Sequence, residues 1–427
     1  LYLYHRIEKD EVYKALTELI HFLQEEKEEK DTFLIQQTYA SFFSLLSEKS
    51  IAAYHTDFLN PWQEYLLELI FKDENPFTLS AEKYSSKISP ALFQAAASDL
   101  SFLEKIFRLS FKELNTKIEE IKGQKVPSIE DFQPFSPLDD RFLPLKNAFL
   151  NTSPWENLKE TLFDFHRRHG CGSMARYNAF CWKNNVLEGI AEPDPITLEE
   201  LWGYSEQKKI ILENTEYLLH GLPANNILLY GDRGTGKSSL VKALLPRYAS
   251  LGLRLVEFAS EDLASLSPLL DILKQRGLKF ILFIDDLSFE ENEVEFKKLK
   301  ALLEGGVEKK PDNVVIYATS NRRHLIKESF EGREAEVHPA DSMQEKLSLA
   351  DRFGITLTFS APDQNDYLAI VKHLAQKEGL AVPEEELKNL ALKWELLHNS
   401  RSGRTARQFV DYLHASLSFK NITAGQD

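Results

Sequence analysis

Asn226-Ile-Leu-Leu-Tyr-Gly-Asp-Arg-Gly-Thr-Gly-Lys-Ser-Ser-Leu240 is the stretch on which the reading of this chain turns. The apolar run Ile227 to Tyr230 predicts a buried strand. It breaks at Gly231 into a glycine-spaced loop, and Lys237-Ser238 open an amphipathic helix over 239–245. The pattern is G-x-x-x-x-G-K-[ST], in the strand–loop–helix setting its chemistry requires. Glycines at 231, 234 and 236 let the backbone aim N–H groups at one point. The helix start adds partial positive charge there, so a polyphosphate is the fitting guest. Gly231, Asp232, Arg233, Gly234, Thr235, Gly236, Lys237, Ser238 and Ser239 are the expected contacts. Lys237 is expected to reach the β- and γ-phosphates, and the Ser238 hydroxyl to ligate Mg2+. A chance glycine loop is the competing reading, and the flanking strand and helix argue against it.

Around this stretch, strands alternate with helices. Segments 253–258, 279–284, 313–320 and 355–359 predict four more strands, and 263–275 and 291–303 predict helices, the second closed by Gly305-Gly306. Buried strands alternating with helices mean a parallel α/β sheet. Three helices are expected after it, over 363–377, 384–398 and 405–417. Upstream, 196–204 and a helix over 205–219 precede the first strand. That segment is well placed to pack on a purine base, with the part played by Tyr204 left open.

The chemistry is expected at the strand ends. Asp285 closes the most apolar strand, where a carboxylate can hold Mg2+ through its water shell. Asp286 is the expected general base for an attacking water, with Glu290 as its competitor. Asn321, closing the next strand, is expected to orient that water or feel the γ-phosphate, although asparagine is also a good turn former. Arg322 and Arg323 read as solvated. Asp351-Arg352-Phe353-Gly354 precedes the last strand, and Arg352 would project to the γ-phosphate held by a neighbouring subunit. Arg401-Ser-Gly-Arg404-Thr-Ala-Arg407 opens the last helix. Arginine at a helix N-terminus is disfavoured unless it faces an anion, so one of Arg404 and Arg407 is expected to read phosphates.

The 427 residues suffice for two or three cores. A formal net charge of -15 argues against broad nonspecific binding to nucleic acid or membrane surfaces. No apolar run approaches the roughly 18–20 residues of a membrane span, and no secretory signal opens the chain. Leu1 in place of Met leaves open whether sequence precedes it. Two cysteines, Cys171 and Cys181, make no disulfide framework, so the expectation is a cytoplasmic protein without membrane attachment. His166, His169, Cys171 and Cys181 do not match common zinc spacings, and partly buried thiols are the better reading.

The first 120 residues predict helices. Val12, Leu16, Leu19, Ile20 and Leu23 share a face, 33–46 is a second amphipathic stretch, Pro61-Trp62 starts a third helix, and 91–111 is another. Prolines and glycine then break the periodicity over 123–154. Phe132, Phe135, Phe142, Leu143 and Phe149 mark that segment as one that packs. A helix resumes over 155–169 and ends in His166-Arg167-Arg168-His169, a basic cluster that reads as a solvated helix C-terminus or, alternatively, a phosphate contact.

Taken in order, the later motifs resemble the AAA+ ATPase plan over roughly 196–417. The P-loop is 231–238 and the second nucleotide motif 280–286. Asn321 is sensor-like, Arg352 in Asp-Arg-Phe-Gly is arginine-finger-like, and Gly403-Arg404-Thr-Ala-Arg407 is sensor-two-like. Asp285-Asp286, where many members have Asp-Glu, is similar to the branch of replication initiators and helicase loaders. Asp285-Asp-Leu-Ser-Phe-Glu290, Glu345-Lys-Leu-Ser-Leu-Ala-Asp-Arg-Phe-Gly354 and Gly170-Cys-Gly-Ser-Met174 resemble a bacterial ATP-binding family of unknown function. The resemblance implies an AAA+ P-loop sheet flanked by helices, a C-terminal helical lid and an N-terminal helical domain.

It also implies ATP with Mg2+, a homo-oligomer with the site at its interface, and hydrolysis coupled to remodelling or loading of a protein or nucleic-acid partner. Catalysis would fall to Lys237, Asp286, Asn321 and Arg352, and the metal to Ser238 and Asp285. The shortened Asp286 keeps a second reading open, an ATP-gated binding module with negligible turnover. A small-molecule kinase would need an acceptor site that nothing here supplies. The expected domains are an interaction domain at 1–120, a connector at 121–195, the nucleotide core at 196–361 and the lid at 362–427.

Overall fold

A computed structural model describes residues 1–24, 32–51, 59–84, 88–129, 141–287, 303, 310–321 and 352–424. The chain divides into two units, Leu1–Arg176 and Tyr177–Asp427.

The first unit is helical: α1 Glu11–Gln24, α2 Thr32–Ile51, α3 Pro61–Phe71, α4 Pro76–Lys83, α5 Pro90–Phe107, α6 Phe111–Lys122, α7 Leu143–Asn151, α8 Lys159–His169 and the short α9 Ser173–Arg176. Val12, Leu16 and Leu19 of α1 are buried, as are Ile35, Tyr39, Phe42 and Leu46 of α2, the stripe an amphipathic helix turns to its core. Pro61 opens α3, and Asn60 and Gln63 exchange side-chain bonds with each other's backbone N–H, a capping box. Phe142 and Phe149 join the core. Leu143, expected beside them, is 39% exposed. It precedes the buried Leu145 by two residues, about 200° round the helix. Phe132 and Phe135 lie outside the described residues.

The second unit holds a seven-stranded sheet: β1 Ala179–Lys183, β2 Val186–Ile190, β3 Ile227–Gly231, β4 Leu253–Glu257, β5 Lys279–Ile284, β6 Val314–Ser320 and β7 Ile355–Phe359. The order is β2-β1-β4-β5-β6-β3-β7, parallel throughout except for the β1/β2 pair. The five expected strands are present. β1 and β2 were not expected; they form a hairpin within the segment read as a connector. Asn184 and Asn185 turn it at φ 51° and 60°, the left-handed pair that a two-residue hairpin needs and that asparagine tolerates.

Helices α10 Ser205–Leu219, α11 Lys237–Lys242, α12 Leu244–Tyr248 and α13 Leu266–Lys274 flank the sheet, and α14 Gln364–Lys377, α15 Glu384–His398 and α16 Gly403–Ala424 follow it. The helix expected over 239–245 divides at Ala243. The helix expected over 291–303 lies outside the described residues apart from Leu303, as do Glu290, Gly305, Gly306, Arg322, Arg323 and Asp351. Alternate strand residues Ile227, Leu229, Ile281, Phe283, Val315, Tyr317 and Leu357 share a core with Ile211, Leu218, Leu240 and Leu244. Leu228, Leu282, Ile284 and Ile316 are buried on the opposite face, where α13 packs near β6. Burial on both faces is what makes these strands continuously apolar. The expected parallel α/β sheet flanked by helices, with helices before and after it, is therefore the observed class.

A polar anchor fixes the entry to β3. The Asn214 side chain accepts from Asn225 N at 2.9 Å and donates to Asn225 O at 2.9 Å, and it reaches the buried Tyr317 hydroxyl at 3.0 Å. The three later helices close around Tyr367, Val371, Ala391, Phe409 and Val410. Among the described residues, no helix is long and apolar enough to cross a membrane.

Candidate nucleotide site

β3 ends at Gly231, whose φ of 140° belongs to glycine. A Cβ there would lie 1.9 Å from the Phe359 carbonyl, so the missing side chain lets β7 approach the loop. Asp232 N donates to that same carbonyl at 3.0 Å, and the Asp232 carboxylate accepts from Ala361 N at 2.8 Å. Asp232, expected among the ligand contacts, instead ties the loop to β7 and the segment after it. Thr235 Oγ1 donates to Asp232 O at 2.9 Å. Gly234 and Gly236 take left-handed φ of 74° and 88°.

Lys237 is buried. Its Nζ donates to Gly231 O at 3.0 Å and to Asp232 O at 2.7 Å. Burial lowers its pKa, with Asp232, Asp285 and Asp286 pulling the other way. Parked on the loop carbonyls, the ammonium stands at the mouth of the turn where phosphates would lie.

Ser238 and the strand ends meet beside it. Ser238 Oγ donates to Asp285 Oδ1 at 2.6 Å, and Thr319 Oγ1 donates to the same oxygen at 2.5 Å. Asp285 Oδ2 takes no hydrogen bond from the described residues. Asp286 adopts φ 51°, a left-handed conformation that costs a non-glycine residue about 1–2 kcal/mol. Its N–H is held by Thr319 Oγ1 at 2.9 Å, and its Oδ1 accepts from Asn321 Nδ2 at 2.5 Å. The sequence reading did not single out Thr319, though it lies two residues before Asn321 on β6 and so on the same face of that strand. A hydroxyl and a carboxylate on adjacent elements are the hard oxygen donors that Mg2+ prefers, and the set fits that ion.

Lys237, Ser238, Asp285, Asp286 and Asn321 line one cavity of about 610 Å3, together with Arg233, Gly234, Ser239, Arg404 and Arg407. Its apolar end is walled by Ile196, Leu201, Trp202, Tyr204, Phe359, Ile370 and Leu374. Tyr204 packs its ring on Phe359 at 4.9 Å and donates its hydroxyl to Ser360 O at 2.7 Å.

The two candidate arginines part company. Arg407 Nη1 binds Glu378 at 2.9 Å and its Nη2 binds Glu200 at 3.2 Å. The exposed Arg404 guanidinium makes no hydrogen bond or ion pair to a described residue, and Arg404 N lies 3.4 Å from the Gly234 carbonyl. A Cβ on Gly234 would come 2.8 Å from Ser402 Oγ, so the start of α16 rests directly on the loop.

Arg352 lies elsewhere. It precedes β7, by Gly354, whose added Cβ would meet Asn225 Oδ1 at 2.4 Å. That is the start of β3, whereas the phosphate loop follows its end, and Arg352 does not line the cavity.

Of the basic cluster, His166 is fully buried and Arg167 pairs with Asp164 at 3.0 Å. His169 is half-buried and packs on Phe165 at 4.8 Å, so the two arginines are the exposed members of the cluster. Cys171 is buried, with N–H and thiol both on Glu82, and Cys181 is half-buried.

Among solved structures the chain is similar to Thermotoga maritima RuvB, a Holliday junction branch migration motor, at 17% identity over 51% of this chain and 72% of that one, with a TM-score of 0.31. Two variants of the same protein give 17% and 16% identity over the same 51% of this chain and 72% and 73% of theirs, with TM-scores of 0.33 and 0.34. No curated protein matches. Residues 175–417 match the family described as "Protein of unknown function (DUF815)". That match spans more than half of the chain, and the protein belongs to this family.

Proposed function

We propose that the protein is an ATP hydrolase of the AAA+ kind, acting with Mg2+ as a homo-oligomer on a protein or nucleic-acid partner. The observation that carries this is that Ser238 and Thr319 both donate to Asp285 Oδ1, at 2.6 and 2.5 Å, beside Lys237. A chance glycine loop has no reason to be joined to a carboxylate at the end of β5, a strand that lies beyond β6 in the sheet.

In this reading the amides of 233–237 and the start of α11 cradle phosphate oxygens. Lys237 leaves the loop carbonyls for the β- and γ-phosphates. Ser238 and Asp285 would hold Mg2+, which when bound would supply positive charge beside the phosphates. Asp286 takes a proton from the attacking water, and Asn321 sets that water's position by holding the other side of the Asp286 carboxylate. Arg404, which lines the cavity and whose guanidinium has no partner among the described residues, is the phosphate reader from α16. The apolar end takes the base. The two free thiols suit a reducing, cytoplasmic setting.

One observation favours a slower, ATP-gated binding module. Asn321 donates to Asp286 Oδ1, which leaves only the other carboxylate oxygen to take a proton from a water. Steady-state phosphate release, with ATP affinity measured alongside, decides between the readings. Lys237→Ala should abolish detectable ATP binding. Asp286→Asn should keep binding and lower turnover by about 100-fold or more. ATP bound as well by Lys237→Ala as by the unsubstituted chain would sink the assignment of the site.

A further inference from the structure

The cavity has a second set of charges, joining the segment before α10 to the later helices, that hydrolysis does not use. Glu200 ends the turn Leu198–Glu200 at the apolar end. Its carboxylate receives Lys377 Nζ from α14 at 2.6 Å and Arg407 Nη2 from α16 at 3.2 Å. Arg407 continues to Glu378 at 2.9 Å, and Glu378 lies 3.9 Å from His414 Nδ1. One residue earlier, His373 Nε2 of α14 donates to Glu199 O at 2.6 Å, and the Trp202 ring lies 5.4 Å from His373. The strap 198–202 is thus held to the lid by His373, Lys377 and Arg407. The strap also forms the wall against which a base would lie, through Leu201 and Trp202.

We propose that Glu200 is a positioning residue, the centre of an ion-pair clasp that fixes the lid against the base-binding strap, and that Arg407 serves this clasp rather than the phosphates. Two arguments support it, both resting on the nucleotide reading above. Arg407 already has two carboxylate partners in a bidentate-capable fork, and leaving them for a phosphate would take the close partner from Glu378 and leave Glu200 to Lys377. Glu200 gathers contacts from two lid helices at once, so a single side chain sets the lid's angle. Each pair alone is partly exposed and weak, whereas a shared network is where such charges couple. Because the clasp acts on the base end, it affects ATP and ADP alike.

The sign of one substitution separates this from the alternative. With the clasp, Glu200→Gln loosens the lid and weakens both ATP and ADP on the order of five- to tenfold. If Arg407 were instead a phosphate reader restrained by Glu200, the same change would release it and tighten ATP selectively. The experiment measures binding of fluorescent ATP and ADP analogues to the full chain, for the unsubstituted protein, Glu200→Gln, Arg407→Gln and the double variant. The expected result is equal losses for both nucleotides, a double variant no weaker than either single one, and Arg407→Lys intermediate. Selective tightening of ATP, unchanged affinity, or additive losses overturn the clasp. Lys377→Gln, at an exposed position, should weaken both nucleotides in the same direction and stands in if Glu200→Gln does not fold. Hydrogen exchange over 198–202 in ligand-free protein gives a readout independent of ATP, and it should rise in each single variant. An unsubstituted chain that binds no nucleotide removes the proposed function, and exchange that stays unchanged removes the clasp.

Discussion

Thr319 shows where single residues stop being legible in sequence. Lys237, Ser238 and Asp285 announce themselves by spacing and by the apolar strand before the acid. Thr319 acquires its role only from strand pairing: β5 and β6 are parallel with Ile284 opposite Ala318, which sets Thr319 beside Asp285. Its one hydroxyl contacts Asp285 Oδ1 at 2.5 Å and Asp286 N at 2.9 Å, so it orients the expected metal carboxylate and the left-handed backbone of the expected base together. Asp232 gives the opposite lesson. Its place inside the loop motif suggested a ligand contact, yet its N–H and carboxylate both serve the β7 side. Thr319→Val keeps the volume and removes the hydroxyl. Losing a hydrogen bond to a charged group costs about 1.5–3 kcal/mol, so turnover should fall at least tenfold while Thr319→Ser retains most of it. Phosphate release at saturating ATP measures this, and a Val variant as active as the Ser variant would remove Thr319 from the site.

At the scale of elements, the apolar patterns were enough for the five strands β3 to β7 and the amphipathic helices, because burial imposes those patterns directly. The β1/β2 hairpin escaped because its strands are short and its edge strand is largely exposed, leaving only the Asn184-Asn185 turn as a signal. Helix α8 was read from its charges, but its fold is decided by burial. His166 is fully buried, with Nδ1–H donating to Gly170 O at 2.9 Å and Nε2 unpaired among the described residues. Burial pushes its pKa down to about 4, against a smaller upward pull from the Gly170 carbonyl. Unfolded, the ring takes a proton below about 6.5; folded, it stays neutral to about 4. Between those values the unfolded chain binds the extra proton, so stability is fully present above pH 6.5 and declines as pH falls towards 4, by about 3 kcal/mol at most. His166→Asn keeps an N–H for Gly170 and cannot titrate. The loss in urea-unfolding free energy of the first unit between pH 7 and pH 4.5 should therefore shrink in this variant. An unchanged loss would place the proton elsewhere.

For the whole molecule, the position of Arg352 is the ground for the proposal that a second copy completes the site. From Ile355 to Phe359 the chain climbs about 13 Å of strand, with Arg352 before the lower end and Gly231 beside the upper one. An arginine so placed has no route to the phosphates of its own subunit without undoing β7, whereas a second copy docked against the open side of the cavity could supply it. Sequence order hinted at this, since an arginine just before the last strand is separated from the P-loop in any parallel sheet. Only the register of β3 against β7 turns that hint into a length. Arg352→Ala should keep ATP affinity within about twofold and lose turnover by about 1000-fold. Lys237→Ala, which keeps its own Arg352 but binds no ATP, should be equally inactive alone. Mixed together, the two variants should form some sites with an intact loop from one copy and an intact arginine from the other. Phosphate release would then rise above the sum of the separate proteins, with a maximum near equal proportions. Mixtures that never exceed that sum, in samples shown to exchange subunits, would mean that Arg352 does not act across an interface.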